Sequence, residues 1–320
     1  MTNSIPLFSV VIPMHNSART IRRCLDSLGA LSHSSYEVIL VDDGSTDETT
    51  AIARSYDAFR LIELPKGGPS RARNEGVRHA QGHLVAFTDS DCVVDEHWLT
   101  ELEKGFIDQN VAGVGGAQRS PVDESEAGRT FQEFMQAIGF VTGYVQTGRV
   151  MKETNHNPSC NVAYKREVLG KVDGFDESLW PGEDVEIDLK IRRLGYKLIF
   201  NPAAMVGHYR PATYRDFAHM MERYGHCQGR LVRKYGPFRL LHYVPVGLVA
   251  SVGILTGLLV VWPWAWPVLL IPPLGALLWF WLKTKRVQKA LRFTRLLFLT
   301  FAIWHYGFAV GSIYPDVERA

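Results

Sequence analysis

From Leu240 to Leu282 the chain contains no Asp, Glu, Lys or Arg. A helical pass through a bilayer needs about 20 apolar residues, so this stretch is long enough for two. Pro263 and Pro267 mark the turn between them, and Trp262, Trp264 and Trp266 cluster there, where amphipathic indoles favour a membrane interface. A second charge-free stretch, Leu296 to Pro315, has the length for a third pass, although His305, Tyr306, Gly307 and Gly311 dilute it. The loop between carries Lys283, Lys285, Arg286, Lys289, Arg292 and Arg295 without an acidic residue, which assigns it to the cytoplasm by the positive-inside rule.

The rest of the chain must fold in water. With 320 residues, 46% of them hydrophobic, there is material for one large domain ahead of the membrane segment. A net charge of +2, with no basic stretch interleaved with aromatics in the first two hundred residues, argues against nucleic acid as a partner. Cys24, Cys92, Cys160 and Cys227 show no CxxC spacing and read as reduced thiols. Met1 to Phe8 has no basic cluster followed by an apolar run, so the expectation is a cytoplasmic N-terminal domain on a multi-pass protein of the inner (plasma) membrane.

Apolar β-branched runs end abruptly in polar residues: Ser9 to Ile12 at Pro13, Val38 to Val41 at Asp42, and Leu84 to Phe87 at Thr88. Continuous apolarity suits strands covered on both faces. Helical spacing appears between them, at Ala18 to Leu28, Thr46 to Tyr56, Ser70 to Ala80 and Glu96 to Gln109. This alternation predicts a doubly wound α/β domain on a parallel sheet. Further strands are expected near Asn161 to Tyr164 and Lys197 to Phe200, a helix from Glu183 to Leu194, and a poorly defined helical connection from Glu124 to Val145.

Ligands of an open parallel sheet bind beyond the carboxyl ends of its strands, and there this chain places Asn16, Asp42, Asp43, Asp89 and Asp91. Asp89-Ser90-Asp91 sets two carboxylates at i and i+2, which on extended backbone share a face and suit one hard cation, magnesium or manganese rather than zinc. Lys66-Gly67-Gly68-Pro69-Ser70 runs into a helix bearing Arg71, Arg73 and Asn74, an arrangement that favours an anion. It is neither a Walker A loop nor a G-x-G-x-x-G fingerprint.

Taken in order, Ser9 to Pro13 with Asn16, Val41 to Asp47, Gly68 to Asn74 and Asp89-Ser90-Asp91 resemble the donor-site motifs of glycosyltransferase family 2. The likeness continues through Asn161 to Leu169, Gly174-Phe175-Asp176 and Gly182-Glu183-Asp184, and covers roughly residues 8 to 235. The resemblance implies a GT-A fold, a Rossmann-like, mostly parallel sheet with flanking helices, here followed by C-terminal transmembrane helices. It implies a nucleotide diphosphate sugar as donor, a UDP-sugar first among the candidates, held by Pro13, Asn16, Asp42, Asp43, Gly68, Arg71, Asn74, Asp89, Ser90 and Arg210. Asp42 or Asp43 would meet the base or ribose. Asp89, Asp91 and His208 would hold manganese or magnesium on the diphosphate. The catalytic base would be Asp184, with Glu183 beside it, and in-line displacement would invert the anomeric configuration. Asn161 and Trp180 are expected on the acceptor.

No QxxRW motif of the processive synthases is present, which favours single sugar additions. The layout resembles bacterial exopolysaccharide enzymes of the succinoglycan type, with a lipid-linked saccharide or polysaccharide as acceptor. A polyprenyl-phosphate glycosyltransferase is the alternative enzyme, and a non-catalytic membrane scaffold with a donor-binding fold is the alternative of another class. The expected division is a catalytic domain over residues 1–210, an amphipathic helix over 211–239 and an anchor of two or three transmembrane helices over 240–320. In the middle segment Arg215, Arg223, Arg230, Arg233, Lys234 and Arg239 oppose Phe217, Met220, Met221 and Tyr224, as in a helix lying on membrane lipids.

Overall fold

The computed structural model describes residues 7–139 and 150–314. They fall into two compact units, one holding the residues up to Arg129 and those from 150 to Arg210, the other the residues from Thr130 to 139 and those from Pro211 onward.

The first unit is built on β1 (Phe8–Met14), α1 (Ile21–Gly29), β2 (Tyr36–Asp43), α2 (Thr49–Arg54), β3 (Arg60–Leu64), α3 (Pro69–His79), β4 (Leu84–Phe87), β5 (Cys92–Val94), α4 (Trp98–Lys104) and β6 (Val111–Arg119). After α5 (Glu126–Ala137), which carries the chain into the second unit, follow β7 (Lys152–Thr154), β8 (Val162–Lys165), α6 (Arg166–Lys171), α7 (Glu183–Arg193) and β9 (Lys197–His208). The sheet runs β3-β2-β1-β4-β8-β6-β9-β5, with β7 also on β9. Strands β1 to β4 pair in parallel, and so do β6 and β9, whereas β8 is antiparallel to both β4 and β6, so the sheet is mixed, with two parallel blocks joined through β8.

Period-two alternation explains the two cores. Phe8, Val10, Ile12 and Met14 of β1 face α1 and α4, and Val11 faces the opposite layer with α3, α6 and α7. β1 does not stop at Pro13. Its pairing with β4 ends at Val11 opposite Phe87, so that side of Pro13 is a local edge where a missing N–H costs no ladder bond.

β2 and β3 extend the sheet on one side of β1, and β4 returns on the other. That reversal opens a crevice beyond Met14 and Phe87, the place where such folds take ligands.

The second unit contains most of α5, then α8 (Tyr214–Tyr235), α9 (Val244–Val261), α10 (Ile271–Thr284) and α11 (Val287–Ile313), with 3₁₀ turns at Leu240–Tyr243 and Pro263–Leu270. Three segments, Leu240–Val261, Pro263–Thr284 and Val287–Ile313, are long and apolar enough to cross a membrane. The apolar side expected to rest on lipid is covered by protein: Phe217, Met220 and Met221 are buried, and Phe217 stacks on Phe131 of α5 at 4.4 Å. α8 and α11 lie backbone to backbone. A Cβ on Gly225 or Gly229 would collide with the carbonyls of Trp304 or Phe308, and one on Gly307 or Gly311 with those of Glu222 or His226. The expected helix from Glu124 to Val145 is formed over Glu126–Ala137, and its end lies outside the described residues.

Candidate active site

The crevice is lined from both sides by short polar turns. Asn16, exposed and in the left-handed region (φ 49°), accepts the Thr46 N–H (2.8 Å) on Oδ1 and donates its own N–H to Ser45 Oγ (3.0 Å). Ser17 and Ser90 join their hydroxyls at 2.7 Å, which ties the turn after β1 to the turn after β4. Pro13 is buried in β1 beneath them.

Asp42 and Asp43 shape loops rather than face outward. Asp42, 3% exposed, accepts from Ser45 Oγ (2.5 Å) and Thr50 Oγ1 (3.1 Å). Asp43 accepts the N–H of Gly67 (2.7 Å) and of Gly68 (2.8 Å), one on each carboxylate oxygen. It thereby fixes the glycine loop at the start of α3, over which the Arg71 side chain lies. The direct base or ribose contact expected of these two carboxylates has little free surface to use. Asn74 is also committed elsewhere, exchanging hydrogen bonds with the backbone of Phe175 (2.9 Å each way).

The two carboxylates of Asp89-Ser90-Asp91 do not converge as an extended tripeptide would have them. The segment is a turn, closed by Cys92 N–H to the Asp89 carbonyl (3.0 Å), and each carboxylate has its own partner. Asp89 Oδ1 accepts from Arg73 Nη2 at 2.8 Å. Asp91 faces His208, because the antiparallel register sets Cys92 opposite His208. Asp91 Oδ2 lies 3.6 Å from His208 Nε2, and the Asp91 side chain is 44% exposed. Burial would lift the Asp91 carboxyl, but the charge of His208 holds it below its usual value. Burial likewise opposes the His208 imidazolium, yet Cys92 and Asp91 beside it push it up to about 9. At neutral pH Asp91 is the effective partner, since burial keeps the Cys92 thiol far above its ordinary value and uncharged. On the inner side of the ring, Nδ1 lies 3.3 Å from Gln118 Oε1, to which Arg210 Nη2 donates at 2.7 Å. Cysteines scattered in sequence also meet here: Cys92, Cys160 and His208 place donor atoms within 4.8 Å of one another.

Gly182, at φ 107°, turns the chain sharply into α7 and so presents Glu183 and Asp184 in its first turn, at the positive end of the helix dipole. The two point differently. The Glu183 side chain is 4% exposed and accepts from Arg73 Nη1 at 2.8 Å. Burial outweighs the favourable charge of Arg73 and pushes Glu183 up to about 7. Arg73 is thus a buried link between Asp89 and Glu183, a role its sequence context, between Arg71 and Asn74, did not reveal. The Asp184 side chain is 20% exposed and is held by the N–H of Val185 (2.7 Å) and of Ser159 (3.3 Å). Behind it sits His156, whose Nδ1 is 2.8 Å from Asp188 Oδ2 and whose Nε2 is 3.9 Å from Asp184 Oδ2. Trp180 is 49% exposed just ahead of this turn.

Asn161, expected on the acceptor, lies in the core with no exposed surface. Its Nδ2 donates to the carbonyls of Ala117 and Ala204 (2.9 Å each), and its Oδ1 accepts from Trp98 Nε1 (2.7 Å). A buried amide in that position satisfies backbone carbonyls and is unavailable to a ligand.

The comparisons with known proteins agree with this architecture. Over 211 residues the chain is 30% identical to glycosyltransferase AglE of Haloferax volcanii, covering 62% of this chain and 66% of that protein. It is 29% identical over 221 residues to the pre-mycofactocin glycosyltransferase of Mycobacterium tuberculosis, covering 68% and 46%. It therefore spans less than two thirds of either relative. Among solved structures, mannosyltransferase PcManGT of Pyrobaculum calidifontis, in complex with GDP-Man and Mn2+, superposes with a TM-score of 0.63 at 20% identity, covering 98% of this chain and 89% of that one. GalNAc-T7 with UDP, GalNAc and Mn2+ does so at 0.52 and 19%, covering 74% and 52%. The sequence pattern described as Glycosyl transferase family 2 matches residues 9–173, more than half of the chain, and the protein belongs to that family.

Proposed function

We propose that the protein transfers one sugar from a nucleotide diphosphate donor to a hydroxyl of a lipid-linked saccharide or polysaccharide, with inversion, at the cytoplasmic face of the membrane that anchors it. The observation that carries this reading is the division of labour at the start of α7. The Asp184 side chain keeps 20% of its surface exposed, while its neighbour Glu183 is buried on Arg73. An acceptor hydroxyl must shed a proton as it attacks the anomeric carbon, and an accessible carboxylate held by two backbone N–H groups can take it. Glu183 and Arg73 position that turn, and Trp180 offers an aromatic face to the acceptor or sugar.

The glycine loop and the start of α3, with Arg71 over it, form a receptor for the donor's charge, and Arg210 stands on the other side beside His208. Asn16 and Ser90 rim the same crevice. The residues fit a divalent cation: an exposed carboxylate at Asp91 and an imidazole nitrogen at His208 face each other. This oxygen-plus-nitrogen set suits manganese better than magnesium. The bound ion would neutralise the departing diphosphate. Asp89, committed to Arg73, supports the site from behind.

The test is a screen of the detergent-solubilised protein against nucleotide sugars for manganese-dependent release of nucleoside diphosphate, followed by two variants. Asp91→Ala should abolish turnover and weaken donor binding. Asp184→Asn should keep donor affinity and lose about a hundred- to ten-thousand-fold in transfer to a hydroxyl acceptor. Normal transfer by Asp184→Asn would mean an acceptor that arrives ionised, and a lipid phosphate would then replace the hydroxyl in this reading.

A further inference from the structure

We infer that Cys92, Cys160 and His208 form a second metal site, selective for zinc, which switches the manganese site off by taking His208 from it. The zinc site rests on its own side chains. Only its effect on turnover rests on the reading of Asp91 and His208 as manganese ligands.

The cysteines lie far apart in the chain, with no spacing that marks a zinc site, but the sheet collects two of them. β8, β6, β9 and β5 are neighbours in that order. Cys160 lies in the turn ahead of β8, Gln118 on β6, His208 at the end of β9 and Cys92 opposite it on β5. One donor atom from each of Cys92, Cys160 and His208 falls within 4.8 Å of the other two. Cys160 Sγ is 3.9 Å from His208 Nδ1 and accepts from Gln118 Nε2 at 3.0 Å. Both thiols are buried, whereas the His208 side chain is 20% exposed and gives an ion its way in past Asp91.

Thiolates with an imidazole suit zinc, whereas manganese prefers oxygen. Tetrahedral zinc, with bonds of about 2.3 Å to sulfur and about 2.0–2.1 Å to nitrogen, holds such donors roughly 3.5–3.8 Å apart. The three side chains therefore need to close in by at most about 1 Å, and a water completes the set. Each thiol, and the ring nitrogen that binds, gives up its proton to solvent as the ion enters. Two thiolates then cancel the two charges of zinc, and the buried group is neutral. This matters because Arg210 Nη1 stands 3.4 Å from His208 Nδ1 and would repel an ion of net positive charge.

A neutral imidazole has one lone pair to give, whichever nitrogen gives it. Given to zinc between the thiolates, it is lost to a metal held with Asp91, because the other ring nitrogen then carries the proton. Zinc and manganese thus exclude each other at His208, although their remaining ligands differ.

The test is metal binding to the whole detergent-solubilised protein, with cobalt as a coloured substitute for zinc and a chromophoric chelator as competitor for zinc itself. Wild type should bind one cobalt ion with the near-ultraviolet absorption of thiolate charge transfer and the strong visible bands of tetrahedral cobalt. Cys160→Ser and Cys92→Ser should each lose that absorption and bind zinc about a hundredfold or more weaker, while Cys227→Ser, on α8 and outside this unit, should match wild type. In manganese-dependent transfer, one equivalent of zinc should silence wild type, and a zinc-selective chelator should restore it. Cys160→Ser should turn over within about twofold of wild type without zinc, and should need about tenfold or more zinc for the same inhibition. Equal zinc affinity in wild type and both serine variants, or a cobalt spectrum without thiolate absorption, overturns the site. Full turnover with zinc held by the thiols overturns the competition. A protein that binds zinc as expected but turns over no donor with manganese sinks the reading of the reaction and leaves the zinc site standing. Should one serine variant fail to fold, the other decides alone.

Discussion

At the residue scale the site rests on Arg73, a guanidinium 3% exposed that is shared between Glu183 and Asp89. Taking one partner from such a group leaves a buried charge unanswered, at a cost of about 3–5 kcal/mol. Glu183 adds a pH signature. Its ordinary value of 4.5 rises to about 7 in the folded chain, so between those values the folded protein keeps a proton that the unfolded chain has released. The stability this gives is complete below about 4.5, falls as pH rises and is gone above about 7. In Glu183→Gln that slope is absent, so the wild type's thermal midpoint should drop relative to the variant's from pH 5 to pH 7.5; parallel curves would contradict the assignment. The carboxylates at the strand ends were legible because an apolar run that stops at an Asp marks a sheet edge. The partners they find were not, because Arg73, Asp89 and Glu183 meet only through the fold. The partners of Asn74 and Asn161 were hidden for a related reason: an amide that bonds backbone is indistinguishable in sequence from one that meets a ligand.

At the scale of elements, β1, β2 and β4 could be read as continuous apolar runs because they are covered on both faces. β6 could not. Its run Val111–Arg119 holds three glycines, a composition that argues against a strand. They are there because Tyr164, Asn157 and Ala204 press against the backbone where side chains would stand. The glycines of α8 and α11 act the same way between helices, as small residues that let two backbones approach. Gly225→Val or Gly307→Val should lower stability in detergent by about 1–3 kcal/mol or more, since the obstructing atoms are backbone and cannot turn aside. Gly257→Val, where a Cβ meets nothing within 4 Å, is the control and should leave the melting curve within about 0.5 kcal/mol of wild type. Equal effects from the three substitutions would show that the helix contact contributes nothing.

At the scale of the whole molecule, the charge-free run and its basic loop set the expected membrane path. A cysteine placed at Ala265 should react with a reagent applied outside intact cells, one at Thr284 should not, and the four native cysteines, all buried, should stay silent. The reverse pattern would refute the orientation. The glycine-lined contact between α8 and α11 bears on the third apolar segment, which composition alone admits as a crossing. α8 runs alongside the second half of α11, and Arg233 donates to the carbonyl of Ile313 (3.2 Å) at its end. A vertical α11 would have to drag Arg223, Arg230 and Arg233 into hydrocarbon, at about 2.5–3.5 kcal/mol for each charge at the centre. We therefore propose the cheaper path, of even parity, in which the chain would go out once and come back once and α11 would lie in the headgroup layer with α8 as its polar outrigger. A cysteine at Ser312 should therefore be as sheltered from the outside reagent as one at Thr284.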